Sequence, residues 1–224
     1  MKISPTLTEV KEIAKTGKYD ILPVSCEILS DFITPIEAMR ILQNVSTHCY
    51  LLESAQANEA WGRYTFLGYD PKLEINCIDG HMKLGKLSVE TENPSEYIRQ
   101  ILSEYKSPKF DYLPSFTGGL VGYFSYDYLG YKEKSIRGKA RDTEDFKDVD
   151  LMLFDKVIAF DNLCQKIILI ANMSLDAPET GYNKAIVELK QLRELLMYGE
   201  KKQNMGGKLL GEVTPLFEKE QYCE

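Results

Sequence analysis

The residues best placed to do chemistry lie in and around Leu51 to Pro71, LLESAQANEAWGRYTFLGYDP, which reads as strand, loop, strand. Cys49 to Ser54 is short, apolar and rich in strand formers. Ala55 to Trp61 is small and polar apart from the chain's single tryptophan, and Arg63 to Tyr69 is aromatic and β-branched before the Asp70-Pro71 breaker. Side chains alternate along a strand, so Tyr50, Leu52 and Ser54 share one face while Cys49, Leu51 and Glu53 share the other. With the first set inward, Ser54 is a lone hydroxyl at the end of an apolar face, beside the mouth of a loop. An aliphatic wall with one well-placed polar group suits a small amphipathic ligand. A hydroxyl that merely caps a strand end satisfies the same pattern.

Other chemistries find less support. Glu53 has no evident second carboxylate, and no Ser/His/Asp or Cys/His set stands at a recognisable spacing, which speaks against a stand-alone hydrolase. Cys26, Cys49, Cys77, Cys164 and Cys223 are widely spaced and form no CxxC pair, so reduced structural thiols are expected. His48 and His81 fall in different segments, and His48 and its neighbour Cys49 point to opposite faces of a strand, so no metal site is expected from this chain alone. The glycines of FTGGLVGYFSYD, residues 116 to 127, invite a phosphate-loop reading. No Lys-Ser or Lys-Thr follows, however, and no helix is expected to begin after it. It reads as a strand whose Gly119 and Gly122 let another backbone or a ligand come close. The acidic run Asp142, Glu144, Asp145 and Asp148 lacks the glycine and the spacing of a calcium loop and reads as solvated.

Composition narrows the class. A chain of 224 residues with 44% hydrophobic content can bury roughly 70% of its unfolded surface. A net charge of −7 and a pI near 5.1 argue against nucleic acid, which needs a cationic face to displace counterions from phosphate. No apolar signal segment and no run of 18 apolar residues is present, so a soluble, cytoplasmic protein with no membrane contact is expected.

The elements that would hold the site follow from periodicity. Leu7 to Thr16 has helical spacing closed by Gly17, and Tyr19 to Leu29 is extended, with Pro23 marking an edge or bend. Thr34 as N-cap, Pro35 in the first turn and Glu37 three residues after Thr34 open a helix to about Asn44, its apolar stripe being Ile36, Met39, Ile41 and Leu42. Three short strands, KLEINCI, HMKLG and KLSVE, follow, the first two joined by an Asp79-Gly80 hairpin turn. A helix from Asn93-Pro94 to about Tyr105 buries Tyr97, Ile98, Ile101, Leu102 and Tyr105. Tyr131 to Lys147 reads as a loop, Asp150 to Phe160 and Gln165 to Asn172 as a hairpin, and Glu179 to Tyr198 as a long amphipathic helix with Ile186, Leu189, Leu192, Leu195 and Leu196. From Gly199 to Val213 the composition turns to that of a flexible connector. Thr214, Pro215 and EKEQYCE then start a helix too short to stand uncovered in water, so Glu224 reads as an interruption rather than a natural end.

Three of these stretches together carry a family resemblance. LLES followed by GRYTFLGYDP, then PSFTGGLVGYFSYDYLGYKE, then TPLFEKEQYCE, resemble in order the N-terminal half of the large subunit (component I) of anthranilate synthase, a chorismate-utilising enzyme of tryptophan biosynthesis. The aminodeoxychorismate synthase large subunit of folate biosynthesis has a similar N-terminal architecture and is the alternative, as is a stand-alone binding or scaffold module. The resemblance implies an α+β fold of packed, mostly antiparallel sheets flanked by helices. It implies an N-terminal domain over 1–198, a flexible linker over 199–213, and at 214–224 the start of a chorismate-binding catalytic domain. Family members turn chorismate and ammonia into anthranilate and pyruvate with Mg²⁺, the ammonia coming from glutamine through an amidotransferase subunit. Their acid/base residues and magnesium carboxylates belong to the C-terminal half, so the resemblance implies no catalytic residues, no metal and no cofactor in this stretch. It implies instead part of the L-tryptophan feedback site: Ser54 touching the effector, Glu53 and Leu52 as its neighbours in the motif, and Arg63 and Tyr64 as wall residues. The remaining contacts would come from the catalytic half, leaving tryptophan binding by this stretch alone weak.

Overall fold

The computed structural model describes residues 2–54, 62–133, 135, 146–203, 207, 209–212 and 218–223. Its strands form two antiparallel sheets. The first has the order β1-β2-β11-β10-β4-β3, comprising β1 (Ile3–Ser4), β2 (Ile21–Leu29), β11 (Lys166–Ser174), β10 (Lys156–Asp161), β4 (Tyr64–Tyr69) and β3 (Cys49–Leu52). The second has the order β7-β6-β5-β9-β8, comprising β7 (Leu87–Glu90), β6 (His81–Leu84), β5 (Leu73–Ile78), β9 (Val149–Phe154) and β8 (Gly119–Phe124). Helices α1 (Leu7–Lys15), α2 (Pro35–Val45), α3 (Pro94–Ser103) and α4 (Pro178–Tyr198) complete the α+β architecture, with a short α5 at Lys219–Cys223.

Sheet one is buried on both faces. Leu67, Ile158, Phe160, Ile167, Leu169 and Ala171 meet Ala38, Ile41 and Leu42 of α2 and Leu189, Leu192 and Leu196 of α4. The alternate residues Val157, Ala159, Ile168 and Ile170 meet Leu113, Phe110 and Phe116 from the segment before β8. Such strands read as continuous apolar runs, not as alternation. α2 begins as its sequence dictates: Thr34 Oγ1 accepts the Glu37 N–H at 3.3 Å, and the Glu37 carboxylate accepts the Thr34 N–H at 3.2 Å. Its stripe is rotated from the expected one, because Ala38 is buried whereas Ile36 is 59% exposed. Pro23 is tolerated because β2 has β11 along its whole length on one side, while β1 reaches only Ser25 and Cys26 on the other.

Sheet two is covered mainly by α3, whose Ile98, Tyr97 and Ile101 pack on Ile75, Cys77 and Met82; Leu102, expected on the same face, is mostly turned outward. The β5–β6 turn has positive φ at Asp79 (49°) and Gly80 (83°), the type I′ geometry that matches strand twist. At Gly122 (φ 152°) a Cβ would stand 2.0 Å from the Asp150 carbonyl oxygen, so the close backbone there is β9 itself. Contrary to expectation, a helical turn does follow β8: a 3₁₀ segment, Tyr126–Tyr131, capped by Ser125 Oγ accepting the Tyr128 N–H at 3.3 Å. Tyr131 then reaches back across the sheet. Its hydroxyl accepts the Gly80 N–H and donates to Asp148, both at 2.6 Å, and Asp148 accepts the Asp79 N–H at 2.9 Å.

Beyond α4 the first residues of the expected connector are tied to α2. Lys202 donates its N–H to the Arg40 carbonyl at 2.9 Å, and Asn44 Nδ2 donates to the Glu200 carbonyl at 2.6 Å. The loop at Ala55 to Trp61, most of the Tyr131 to Lys147 loop with Asp142, Glu144 and Asp145, and Thr214-Pro215 lie outside the described residues.

Candidate functional site

β3 and β4 pair antiparallel, Cys49 with Tyr69 through to Leu52 with Phe66. The ladder ends at the Leu52–Phe66 pair, and Glu53 and Ser54 follow it outside the strand. Leu52, Glu53 and Ser54 leave the sheet exposed, whereas Arg63 and Tyr64 are half-buried. The expected alternation holds along β3. Cys49 and Leu51 pack into the helix-covered core, and Tyr50 turns to the opposite face, edge-on to Phe154 (4.7 Å) and Phe116 (6.4 Å). Tyr50 lies across Gly68, where a Cβ would come within 2.2 Å of its ring. Small backbone and large ring thus fit each other across the strand pair.

The second strand brings its own anchor. Arg63 donates from Nε and Nη2 to the two Asp161 carboxylate oxygens at 3.1 and 2.7 Å, a two-pronged pair that fixes guanidinium direction. Asp161, its side chain fully buried, also accepts the N–H groups of Leu163 (3.2 Å) and Cys164 (3.0 Å) and so closes the β10–β11 turn. Burial pushes this carboxyl up, but the Arg63 and Cys164 hydrogen bonds outweigh it and hold Asp161 down at about 2. Arg63 is held above its already high range chiefly by the same bond. Its guanidinium also lies 4.9 Å from the Tyr64 ring. Asn162 completes the clamp, its backbone N–H donating to the Arg63 carbonyl at 2.9 Å and its side chain to Thr65 Oγ1 at 3.3 Å.

At this end of the β3–β4 pair Leu52 is the last paired residue of β3, and beside its partner Phe66 lie the rings of Tyr64 (5.8 Å) and Phe116 (5.6 Å). Arg63 belongs to the same end, but its charge is matched by Asp161. A ligand carboxylate seated here would need donors from elsewhere, while an apolar ring would find a wall. Sequence reasoning did not find Asp161, which lies 98 positions from Arg63; the Asp161-Asn162 pair signals only a turn. Nor did it find that Tyr50 Oη, which is buried, has no hydrogen-bond partner among the described residues.

A cleft of about 450 Å³ lies away from this end, between β1, α1 and Phe110 and Tyr112. Its charged groups are Glu9 and Glu12, of which Glu9 already serves the α1 cap through Thr6. With carboxylates and no cation in its lining, that cleft is unsuited to an amino-acid carboxylate. Among the described residues, no three His, Cys, Asp or Glu side chains are grouped to hold a metal ion. The magnesium that the resemblance implies for the intact subunit has no ligand set in them. Among the same residues no helix is long and apolar enough to cross a membrane.

Residues 47–224 match the family model described as chorismate binding enzyme, and the chain belongs to that family. Anthranilate synthase component 1 of Acetivibrio thermocellus is 32% identical over 98% of this chain and 46% of its own length. The protein of the same name from Pseudomonas aeruginosa is 36% identical over 84% of this chain and 39% of its own. The chain thus spans less than half the length of these curated relatives. A crystal structure of anthranilate synthase component I from Streptococcus pneumoniae TIGR4 aligns at a TM-score of 0.48 and 25% identity, covering 74% of this chain and 36% of that one.

Proposed function

We propose that this polypeptide is the regulatory portion of an anthranilate synthase component I. In this reading residues 1–198 form the N-terminal domain, 199–213 a linker and 214–224 the beginning of a catalytic domain. Its role is to supply one wall of an L-tryptophan feedback site, with Ser54 as the contacting hydroxyl, Leu52 and Tyr64 beside the indole, and Glu53 and Arg63 at the rim. The observation that supports this reading is the pairing of β3 with β4, which puts Leu52 opposite Phe66, two residues before Ser54 and two after Tyr64. The wall is incomplete on chemical grounds. Tryptophan presents an indole to bury, an ammonium that needs acceptors and a carboxylate that needs donors, and Arg63 is already matched by Asp161. The donors are assigned to the catalytic half. Conversion of chorismate and ammonia to anthranilate, the Mg²⁺ it uses, the glutamine amidotransferase subunit and a cytoplasmic setting belong to the assembled enzyme in the same proposal.

Magnitudes set the test. Loss of two hydrogen bonds to charged groups, about 1.5–3 kcal/mol each, weakens a site by roughly two to four powers of ten. Calorimetry of residues 1–224 with L-tryptophan is expected to give little or no heat, and Ser54→Phe in the full-length enzyme to relieve inhibition while leaving uninhibited turnover largely intact. Submicromolar binding by residues 1–224, or an unchanged inhibition curve in the variant, removes the reading.

A further inference from the structure

The turn between β10 and β11 lies beside the start of β4, where Asp161 pairs with Tyr64, and its Asp161 divides two oxygens between two tasks. Oδ1 accepts the N–H groups of Leu163 and Cys164 at 3.2 and 3.0 Å and so shapes the turn itself. Oδ2 accepts Arg63 Nη2 at 2.7 Å, while Arg63 Nε reaches Oδ1 at 3.1 Å. Because this carboxylate is fully buried, the guanidinium is held against a fixed point and not against a mobile surface group. The neighbouring Asn162 grips the same stretch. Its N–H donates to the Arg63 carbonyl at 2.9 Å, and its Nδ2 to the Gly62 carbonyl at 3.4 Å and to Thr65 Oγ1 at 3.3 Å. The direction set for Arg63 passes along the strand. Its guanidinium lies 4.9 Å from the centre of the Tyr64 ring, which is 5.8 Å from that of Phe66, the residue opposite Leu52. Neither Asp161 nor Asn162 is among the residues assigned to touch the effector.

We propose that Asp161 is a positioning residue for the response to the effector. Acting through Arg63, it presets Arg63 and Tyr64, so that tryptophan meets a wall whose side chains already stand in place. Side chains that must be ordered at the moment of binding cost affinity, and a partner that orders them beforehand restores it. Asp161 also decides what Arg63 does not do. With both prongs spent inside the chain, the guanidinium is withheld from the ligand's carboxylate, and its part is to steady Tyr64. The inference rests on the proposed feedback reading and adds to it a turn, outside the contact residues, that keeps the wall in order.

Asp161→Asn separates the two tasks. The turn N–H groups keep the amide oxygen in the place of Oδ1, and an NH₂ group then faces Arg63 Nη2 where Oδ2 stood, donor against donor. The assay is ammonia-dependent formation of anthranilate by the full-length enzyme. The tryptophan concentration for half-inhibition is expected to rise about tenfold, the cost of ordering two side chains on binding, with uninhibited kcat and the KM for chorismate unchanged. An unchanged half-inhibition overturns the proposal. So does a lowered one, because the freed guanidinium would then be binding the effector's carboxylate, and so does a fall in uninhibited kcat that accompanies the shift, the mark of a merely structural role. Ile170→Ala, a core truncation opposite Val157 in the same sheet, must leave half-inhibition where it is; a shift in both variants means general loosening and overturns the proposal. If Asp161→Asn does not fold, the exposed Asn162 takes its place. Asn162→Ala keeps the main-chain bond to Arg63 and loses the ties to Gly62 and Thr65, so a rise of about threefold is expected, and no rise overturns the proposal. A parent enzyme that tryptophan does not inhibit removes the feedback reading and this inference with it. A parent and an Asp161→Asn variant inhibited alike remove this inference alone.

Discussion

β10 and β11 of sheet one are buried along almost every residue, whereas β5, β6 and β7 of sheet two alternate or lie largely in solvent. The first pair is sandwiched between helices and the 110–116 segment, so both faces are fixed by packing. The strands of sheet two have one packed face, under α3 and the 3₁₀ segment. The candidate effector wall grows from the first sheet, at the end of β3 and β4, while the exposed tyrosines and phenylalanine of β8 and the segment after it belong to the second. The lesson is a division of labour: the doubly packed sheet holds side chains in fixed directions, and the singly packed one leaves part of its aromatic surface exposed.

Equivalent truncations in the two sheets would sharpen or break this contrast. Ile170→Ala, at a fully buried position of β11, is expected to cost about 2–5 kcal/mol in urea unfolding. Val89→Ala in β7, only half-buried, should stay within about 1 kcal/mol. Similar losses from both would mean that the sheets share their stability evenly.

A smaller effect is expected where the wall is tied to the doubly packed sheet. Asp161→Asn leaves Arg63 without its partner. Removing one member of a buried pair costs about 3–5 kcal/mol, and since the Arg63 side chain is 36% exposed, about 2 kcal/mol is the reasonable figure here. The native Asp161 carboxyl sits near 2, below its unfolded value of about 3.9. Its folded state therefore binds fewer protons, so this stabilisation is present above about pH 4 and is lost as pH falls toward 2. Acid unfolding followed by circular dichroism should show that Asp161→Asn lacks this component. A variant with the parent's acid profile would separate Asp161 from the stability of the strand end.

The smallest change is expected at Tyr50. Its hydroxyl is buried with no hydrogen-bond partner among the described residues, so Tyr50→Phe removes a desolvated polar atom and keeps the ring that covers Gly68. Stability should be unchanged or rise by up to about 1 kcal/mol. A loss above 1 kcal/mol would show that the oxygen has a partner in solution.

Much of the local structure was legible because its causes are local. Thr34, Pro35 and Glu37 announce α2, Asp79-Gly80 announces its turn, and the alternation of Cys49 to Leu52 assigns faces that the contacts of Tyr50 and Leu51 bear out. The stripe of α2 was misjudged at Ile36 because helical spacing fixes which residues cluster, while the position of α4 and the sheet decides which cluster is covered. Arg63 could be read as a wall residue from resemblance, but its clasp on Asp161 could not, since strand order alone brings the two together. The 3₁₀ segment at Tyr126–Tyr131 was missed for a similar reason: its last residue is held by Gly80 and Asp148, which belong to other elements.

That hold on Tyr131 has a kinetic side. The Tyr131, Asp148 and Gly80 triangle joins the 3₁₀ segment to the β5–β6 turn, so neither opens without breaking its bonds to the other. A turn held from a second element opens less often than a free one. Its benefit would appear as slow exchange of the Gly80 amide, whose hydrogen the Tyr131 hydroxyl accepts.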